Sequence, residues 1–423
     1  MSYFYKKIMQ YEEQWCKSMG YFNPYIDIFT THLTVLMPFF DIDCYKRYPR
    51  FKHVYDKLWV VKSQGLPAGR LEKLKGKEDK VAYPIFIKPR WGHLSASSKN
   101  CFKVNSADEL KQYVDYKDMM WSEFIDAKES MTDYIMLNGK IVHQITMVYS
   151  DKQNGFSDVW KYISPDSKPL ANITEWVNEH MKEFTGIVNV QYRDNKIIEI
   201  SLRLARGGAY LLSTENHALI TNINNIFIKK EWNYHLSAEM KFKPFYAFKC
   251  FTKLPILFIF PQKMVDWYVK KHQVKPFYEY YFEPVGKSGM VFFQFMDDDF
   301  EHGMQTKEAI EAIFDKAQYM MYALIVLVMV IGLTKSPYRY SVFFFVLFIF
   351  LLRIFNPFNV NYKLYKAQMQ GIFKQGPKEH NNEDNLEPFD AVPATATAKN
   401  ATAKNAAEFA AVPTTSFSTA ALY

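Results

Sequence analysis

Polarity alternates most regularly over residues 186–208, GIVNVQYRDNKIIEISLRLARGG. Two runs, 187–192 and 197–203, are rich in Val, Ile and Tyr, and polar Arg193-Asp-Asn-Lys196 separates them. Period-two alternation around a polar break predicts a β-hairpin. Successive strand side chains point to opposite faces, and cross-strand partners share a face. A three-residue loop, Asp194-Asn195-Lys196, keeps the faces consistent. Gln191 then faces Glu199, Asn189 faces Ser201, Val190 faces Ile200 and Tyr192 faces Ile198. A two-residue loop would set Gln191 against Ile198 and mix the faces. One face is apolar; the other carries Asn189, Gln191, Glu199, Ser201 and, at its end, Arg203. Such a row needs partners if buried. Water supplies them on an ordinary surface hairpin; a metal ion and phosphate oxygens would supply them in a cleft.

The rest of the chain reads as alternating short elements. Residues 33–40 predict a short strand ended by Pro38 and the acidic Asp41-Ile-Asp43. Residues 55–62 predict a helix, carrying Lys57, that Gly65-Leu-Pro67 ends. A strand over 81–89 brings Lys88 from buried Ile85-Phe-Ile87 to the mouth of a loop, 90–98, with one Gly and three Ser. Small residues let backbone N–H groups approach an anion. A short strand at 101–104 precedes the capping box Ser106-Ala-Asp-Glu109, which opens a helix burying Leu110, Tyr113 and Val114. A strand over 119–125 and a hairpin of 131–136 with 140–145 follow, the latter turning at Asn138-Gly139. Asn172-Ile-Thr-Glu175 is expected to cap a helix carrying Trp176, Val177 and Met181.

Beyond residue 226 the chain is aromatic and basic. Residues 254–261, LPILFIFP, are too short an apolar run to span a bilayer and read as a buried strand or an interfacial segment. Residues 289–295 predict a strand, and Asp297-Asp-Asp299 an exposed acidic turn. Thr306 is expected to cap a helix burying Ile310, Ile313, Phe314 and Ala317. It runs into 319–334, which carries no charge. A second apolar run, 341–352, contains Phe343-Phe-Phe345, which leaves no polar face. A span needs about 20 residues, range about 17–25. The expectation is a two-helix membrane hairpin at about 318–334 and 341–356, with Arg353 snorkelling to the interface.

Composition narrows the classes. The 423 residues exceed one small domain, and the net charge of +8 is spread along the chain, so no nucleic-acid footprint stands out. Cys16, Cys44, Cys101 and Cys250 are far apart, with no CxxC, which argues against a zinc site or a disulfide framework. No apolar run backs the amino-terminal charges, so no signal peptide is expected. The 36 Phe and 29 Tyr favour a large core. From residue 375 the chain turns polar and repetitive, with Ala-Thr-Ala-Lys-Asn at 396–400 and again at 401–405, and is expected to be disordered. The Phe, Tyr, Lys and Asn bias is similar to that of large DNA virus proteins.

Four motifs in order over residues 55–225 resemble the ATP-grasp superfamily of carboxylate–amine ligases. Asp56-Lys57 with Gly65-Leu-Pro67 is similar to that family's Asp-Lys helix and turn. Pro84-Ile-Phe-Ile-Lys-Pro89 is similar to its lysine-bearing strand, and Ser122-Glu-Phe-Ile-Asp-Ala-Lys-Glu129 to its hinge and ribose-binding Glu. Asn189-Val-Gln191 with Ile198-Glu-Ile-Ser-Leu-Arg203 resembles its metal-binding hairpin, although Ser201 and Leu202 stand where the family usually has Asn and often has Pro.

The resemblance implies an α+β ATP-grasp fold of two lobes over residues 55–305. A short 1–54 region would precede it, and the two transmembrane helices within 306–358 and the 375–423 tail would follow. It implies ATP and Mg²⁺ as cofactors. Lys57, Lys88, Ser95 and Ser97 would contact phosphates; Glu123, Phe124 and Ile125 would bind adenine, and Glu129 the ribose. Gln191, Glu199 and Ser201 would hold Mg²⁺, and Arg203 with Lys88 would act in catalysis. The expected activity joins a small carboxylate to an amine or peptide through an acylphosphate, on the cytosolic side of a membrane whose lipid the chain contacts. A nucleotide-binding scaffold without turnover is the alternative.

Overall fold

The computed structural model describes residues 32–34, 36–38, 40–94, 100–150, 158–205, 210–211, 216–240, 242–254, 262–276 and 290–334, with positions 340, 341, 344 and 345. Among them the helices are α1 (Asp41–Arg47), α2 (Lys57–Lys62), α3 (Ala107–Leu110), α4 (Ala171–His180), α5 (His217–Ile228), α6 (Tyr234–Ala238), α7 (Gln262–His272) and α8 (Phe300–Thr334). The fold is α+β, with two antiparallel sheets.

The small sheet has the order β1 (Ala68–Arg70), β4 (Met119–Glu123), β2 (Ile85–Pro89), β3 (Phe102–Val104). Alternation along β2 buries Ile85 and Ile87 with Leu71, Val104, Leu110 and Met119. It turns Phe86 and Lys88 to the opposite face.

The large sheet has the order β11 (Lys275–Pro276), β12 (Met290–Asp297), β10 (Phe245–Thr252), β7 (Trp160–Ser164), β6 (Lys140–Tyr149), β5 (Glu129–Leu137), β8 (Gly186–Arg193), β9 (Lys196–Ser201). One face of its β5–β8–β9 end packs Tyr134, Val188, Val190 and Ile200 against Trp176 and Val177 of α4 and Val60 of α2. The other packs Met131, Ile135 and Ile187 against Leu219, Ile223 and Ile226 of α5. At its far end Phe248 and Phe295 pack on Ile310 and Phe314 of α8. Residues 124–128 join the two sheets, so a side chain at the end of β2 can reach β9.

Several local expectations hold. Asn138 and Gly139 form the β5–β6 turn at φ 50° and 76°, and a Cβ on Gly139 would lie 2.6 Å from the Glu183 nitrogen. Ser106 Oγ accepts from Glu109 N at 3.2 Å, one half of the capping box, while the Glu109 carboxylate takes the Asn105 N–H and the helix ends at Leu110, short of Tyr113 and Val114.

Others are corrected. Described positions in 33–40 form no strand; Met37 N bonds Thr34 O, and Leu33 and Met37, four apart, enter one core, which is turn-like spacing. α4 starts at Ala171 without a side-chain cap, because Asn172 Nδ2 donates instead to Asn195 O at 2.7 Å. α8 starts at Phe300 rather than Thr306: Asp299 Oδ1 accepts from His302 N, and Thr306 is buried inside the helix. The β8–β9 loop has two residues, Asp194-Asn195, not three. Gln191 still pairs with Glu199, Asn189 with Ser201 and Val190 with Ile200, but Tyr192 pairs with Ile197. A β-bulge at Ile198 takes up the extra residue, so the faces stay consistent after all.

Among the described residues no helix is long and apolar enough to cross a membrane. The expected hairpin is therefore not seen; most of its second helix, the 254–261 segment beyond Leu254, and the whole 375–423 tail lie outside the described residues.

Candidate functional site

The bulge has a chemical consequence. It turns the Ile198 carbonyl out of the ladder, and Lys88 Nζ, from β2 of the other sheet, donates to it at 2.7 Å. Lys88 is 6% exposed. Burial, then the nearby Lys57 charge, pushes its ammonium down to about 8, while Glu199 works the other way. The β9 edge beside the bulge is closed by Gln64, whose amide donates to Ile197 O at 2.9 Å and accepts from Ile197 N at 2.7 Å.

Lys57 reaches the same place from the first turn of α2. Asp56 caps that helix, its Oδ1 accepting from Leu58 N at 3.0 Å. A fork from Arg90 holds the same carboxylate, at 2.9 and 2.6 Å. Lys57 N in turn donates to Arg90 O, so the loop after β2 and the start of α2 are stapled together. Lys57 Nζ lies 3.2 Å from Glu199 Oε2. Glu199 thus pairs with Lys57 and also acts on the Lys88 charge from farther off.

The polar face of β5, β8 and β9 carries three cross-strand rows, roughly 7 Å apart along the strands. In the first, Glu129 is opposite Arg193; Arg193 NH2 lies 3.3 Å from Glu129 Oε2 and NH1 donates to Ile125 O at 3.2 Å. In the second, Met131 faces Gln191, which faces Glu199. Gln191 Nε2 donates diagonally to Glu129 Oε1 at 3.3 Å. The third joins Asp133, Asn189 and Ser201. Asp133, fully buried, accepts from Asn189 Nδ2 at 2.7 Å, from Tyr210 OH at 2.7 Å and from Ala205 N at 3.0 Å. Burial outweighs those donors and pushes its carboxyl up to about 6.

The structure thus gathers Lys57, Lys88, Glu129, Gln191 and Glu199 where the two sheets meet. Glu123 joins them through Lys196 Nζ at 2.9 Å, which ties β4 to the hairpin turn. Phe124 lies at the hinge, its N donating to Pro84 O at 3.1 Å, and the Glu123 N–H goes to Pro67 O. Arg203 is set at the third-row end: its guanidinium grips Asp41 of α1 at 2.7 and 2.9 Å. Ser201 is buried in the third row, one row from Glu199. Ser95 and Ser97 lie outside the described residues.

Sequence reasoning missed Arg90, Asp133, Arg193, Lys196 and Gln64. A carboxylate inside the apolar run Met131-Thr-Asp-Tyr-Ile-Met136, in phase with Glu129, was a usable signal for Asp133. Arg193 and Lys196 sit at a turn, where charges are ordinary, and nothing marked them.

The donor set has a definite character. Among the described residues no group of three or more His, Cys, Asp or Glu gathers that could hold a metal by itself. Mg²⁺ is commonly held through one or two carboxylates plus phosphate oxygens and water. Glu199 with the Gln191 amide opposite, beside two buried lysines, fits magnesium delivered with a polyphosphate.

Fold and site together define a two-sheet α+β protein with a cationic, carboxylate-bearing junction. No family model and no curated protein matches the chain. Solved structures similar to it include N5-carboxyaminoimidazole synthetase from Staphylococcus aureus complexed with ADP, at TM-score 0.44 and 14% identity over 63% of this chain and 73% of that one. L-amino acid ligase from Bacillus licheniformis gives TM-score 0.42 and 16% identity over 63% and 71%. The N5-carboxyaminoimidazole ribonucleotide synthetase of Thermotoga maritima gives 0.39 and 14% over 62% and 72%.

Proposed function

We propose that this chain is an ATP- and Mg²⁺-dependent ligase of the ATP-grasp type that joins a small carboxylate to an amine or peptide. One observation carries the reading: Lys57 and Lys88, from separate elements, converge on the Glu199-bearing hairpin of the other sheet. Lys57 and Lys88 would receive phosphate oxygens, since each brings a compact buried ammonium to the same hairpin. Glu199 and Gln191 would hold Mg²⁺, and Glu129 the ribose hydroxyls. Arg203, its fork oriented by Asp41, would receive the substrate carboxylate or the transferred phosphoryl group. Bound ATP with Mg²⁺ supplies activation of that carboxylate as an acylphosphate.

The test is MgATP binding and ADP release by the full chain across a panel of carboxylates and amines. Carboxylate-dependent ADP release that Lys88→Ala and Glu199→Ala abolish is the expected result. Equal signals from all three proteins would remove the enzymatic claim.

A second reading, a nucleotide-binding scaffold without turnover, is favoured by the closed pairing of Glu199 with Lys57 and of Arg203 with Asp41. Tight MgATP binding with no ADP release over the whole panel would select it.

Membrane attachment belongs to the same proposal. The last half of α8 exposes Tyr319, Met320, Leu324, Val326, Leu327 and Val330. At 100° per residue these side chains span roughly 160° of the helix circumference, wider than the roughly 100° stripe that packing on a protein core takes. Lipid suits such a surface, with the two-sheet body on the cytosolic side. Flotation with liposomes, lost on Leu324→Lys with Leu327→Lys, is expected; unchanged flotation would remove the attachment.

A further inference from the structure

We infer that Arg193 is a positioning residue that makes the site selective for the ribose hydroxyls. This rests on the nucleotide reading of the junction. Arg193 stands directly opposite Glu129 across β5 and β8. Its guanidinium touches the two groups that would face the sugar and base: the Glu129 carboxylate at 3.3 Å and the Ile125 carbonyl at 3.2 Å. Gln191 approaches the other Glu129 oxygen at 3.3 Å. Glu129 is only 6% exposed, and a buried carboxylate demands both a counter-charge and donors.

The arrangement has three consequences. One guanidinium nitrogen on Oε2 and the Gln191 amide on Oε1 together hold the carboxylate in one orientation, which a flexible glutamate would otherwise lose on binding. A carboxylate is an acceptor only, so it can receive the O–H of a sugar hydroxyl but offers nothing to a deoxy carbon. The same guanidinium ties the hinge to the hairpin, so the distance between base and sugar contacts is set by one side chain. Removing it should cost discrimination between sugars more than it costs phosphate affinity, because Lys57 and Lys88 are held independently by Glu199 and Ile198.

The test uses the full-length chain with ATP, 2′-deoxy-ATP and 3′-deoxy-ATP, each with Mg²⁺, and reads dissociation constants by isothermal titration. A hydrogen bond to a charged group corresponds to about tenfold or more. The wild type is expected to prefer ATP over at least one of the two deoxynucleotides by that factor. Arg193→Gln should bring the ratio to about twofold while ATP affinity falls less. Arg193→Lys, which keeps the charge without the fork, should give an intermediate ratio and serves if Arg193→Gln does not fold. Unchanged ratios in a folded variant, or no sugar preference in the wild type, would overturn the role of Arg193 and leave the nucleotide site standing. No binding of any nucleotide by the wild type would overturn the site and this role together.

Discussion

Lys88 Nζ and the Ile198 carbonyl, 2.7 Å apart, join the two sheets at the one bulged position of the hairpin. Burial first, and then the nearby Lys57 charge, loosens the hold of Lys88 on its proton. Its pKa lies near 8 instead of the ordinary 10.5. The unfolded chain therefore binds more protons between those values. Charged Lys88 costs stability below about pH 8, and stability rises as pH climbs from about 8 to 10.5.

A bound polyphosphate would reverse that preference by favouring the charged form. MgATP affinity should therefore weaken as pH rises through about 8. Lys88→Met should lose this pH dependence and bind roughly tenfold more weakly at pH 7. Titration calorimetry across pH 6.5 to about 9.5 is the check. A wild-type affinity flat over that range would count against Lys88 as a phosphate contact.

Glu199 serves two claimants. In the absence of nucleotide it neutralises Lys57 at 3.2 Å; with nucleotide it would hold the metal. Glu199→Gln should abolish the magnesium dependence of ATP binding while metal-free ATP binds as well or better, since the carboxylate that competes with phosphate for Lys57 is gone. The loss of the ion pair should cost about 1 kcal/mol in urea unfolding, because Glu199 is partly solvated. Retained magnesium dependence would place the metal elsewhere.

How far these features were legible depended on their range. The partner of Gln191 followed from face consistency alone, and Asn-Gly announced the β5–β6 turn. The length of the β8–β9 loop did not follow, because a two-residue turn with a bulge and a three-residue loop give the same faces from Glu199 onward and differ only in which of Ile197 and Ile198 faces Tyr192. The bulge is what lets Lys88 cross between sheets, so the misread detail was the one with chemical content. Lys57, Lys88 and Glu199 were picked out through resemblance; their convergence needs two strands and a helix some 30 to 140 positions apart to meet, which no local pattern encodes. Arg203 was assigned to catalysis through resemblance; its pairing with Asp41 of α1, some 160 positions away, had no local signal.

Asp133 is the pin of the third row. Asn189, Ala205 and Tyr210 all donate to it, so Asp133→Ala strands three buried donors and should cost roughly 3 kcal/mol or more. Its carboxyl is raised from 3.8 to about 6. The native state therefore binds the proton more tightly, and this contribution is full below about pH 4 and lost as pH rises through about 6. Urea midpoints should show wild-type stability declining over that window relative to Asp133→Ala. A parallel pH profile for the two proteins would mean that Asp133 does not titrate there.

β9 is the last strand of the large sheet, and an open strand edge invites pairing with another chain. Gln64 closes it at Ile197 with both halves of its amide, next to the bulge that presents the Ile198 carbonyl to Lys88. Gln64→Leu keeps the side-chain bulk and removes both bonds. It should cost about 1–3 kcal/mol, since a backbone N–H and C=O at the edge lose their partners. The freed edge should also let the hairpin slide past the bulge, and MgATP affinity should fall because Ile198 and Glu199 move off Lys88 and Lys57. Chemical denaturation and calorimetry on the same variant separate the two effects. Lost stability with intact affinity would show that the bulge holds its own register, and that Gln64 guards the edge alone.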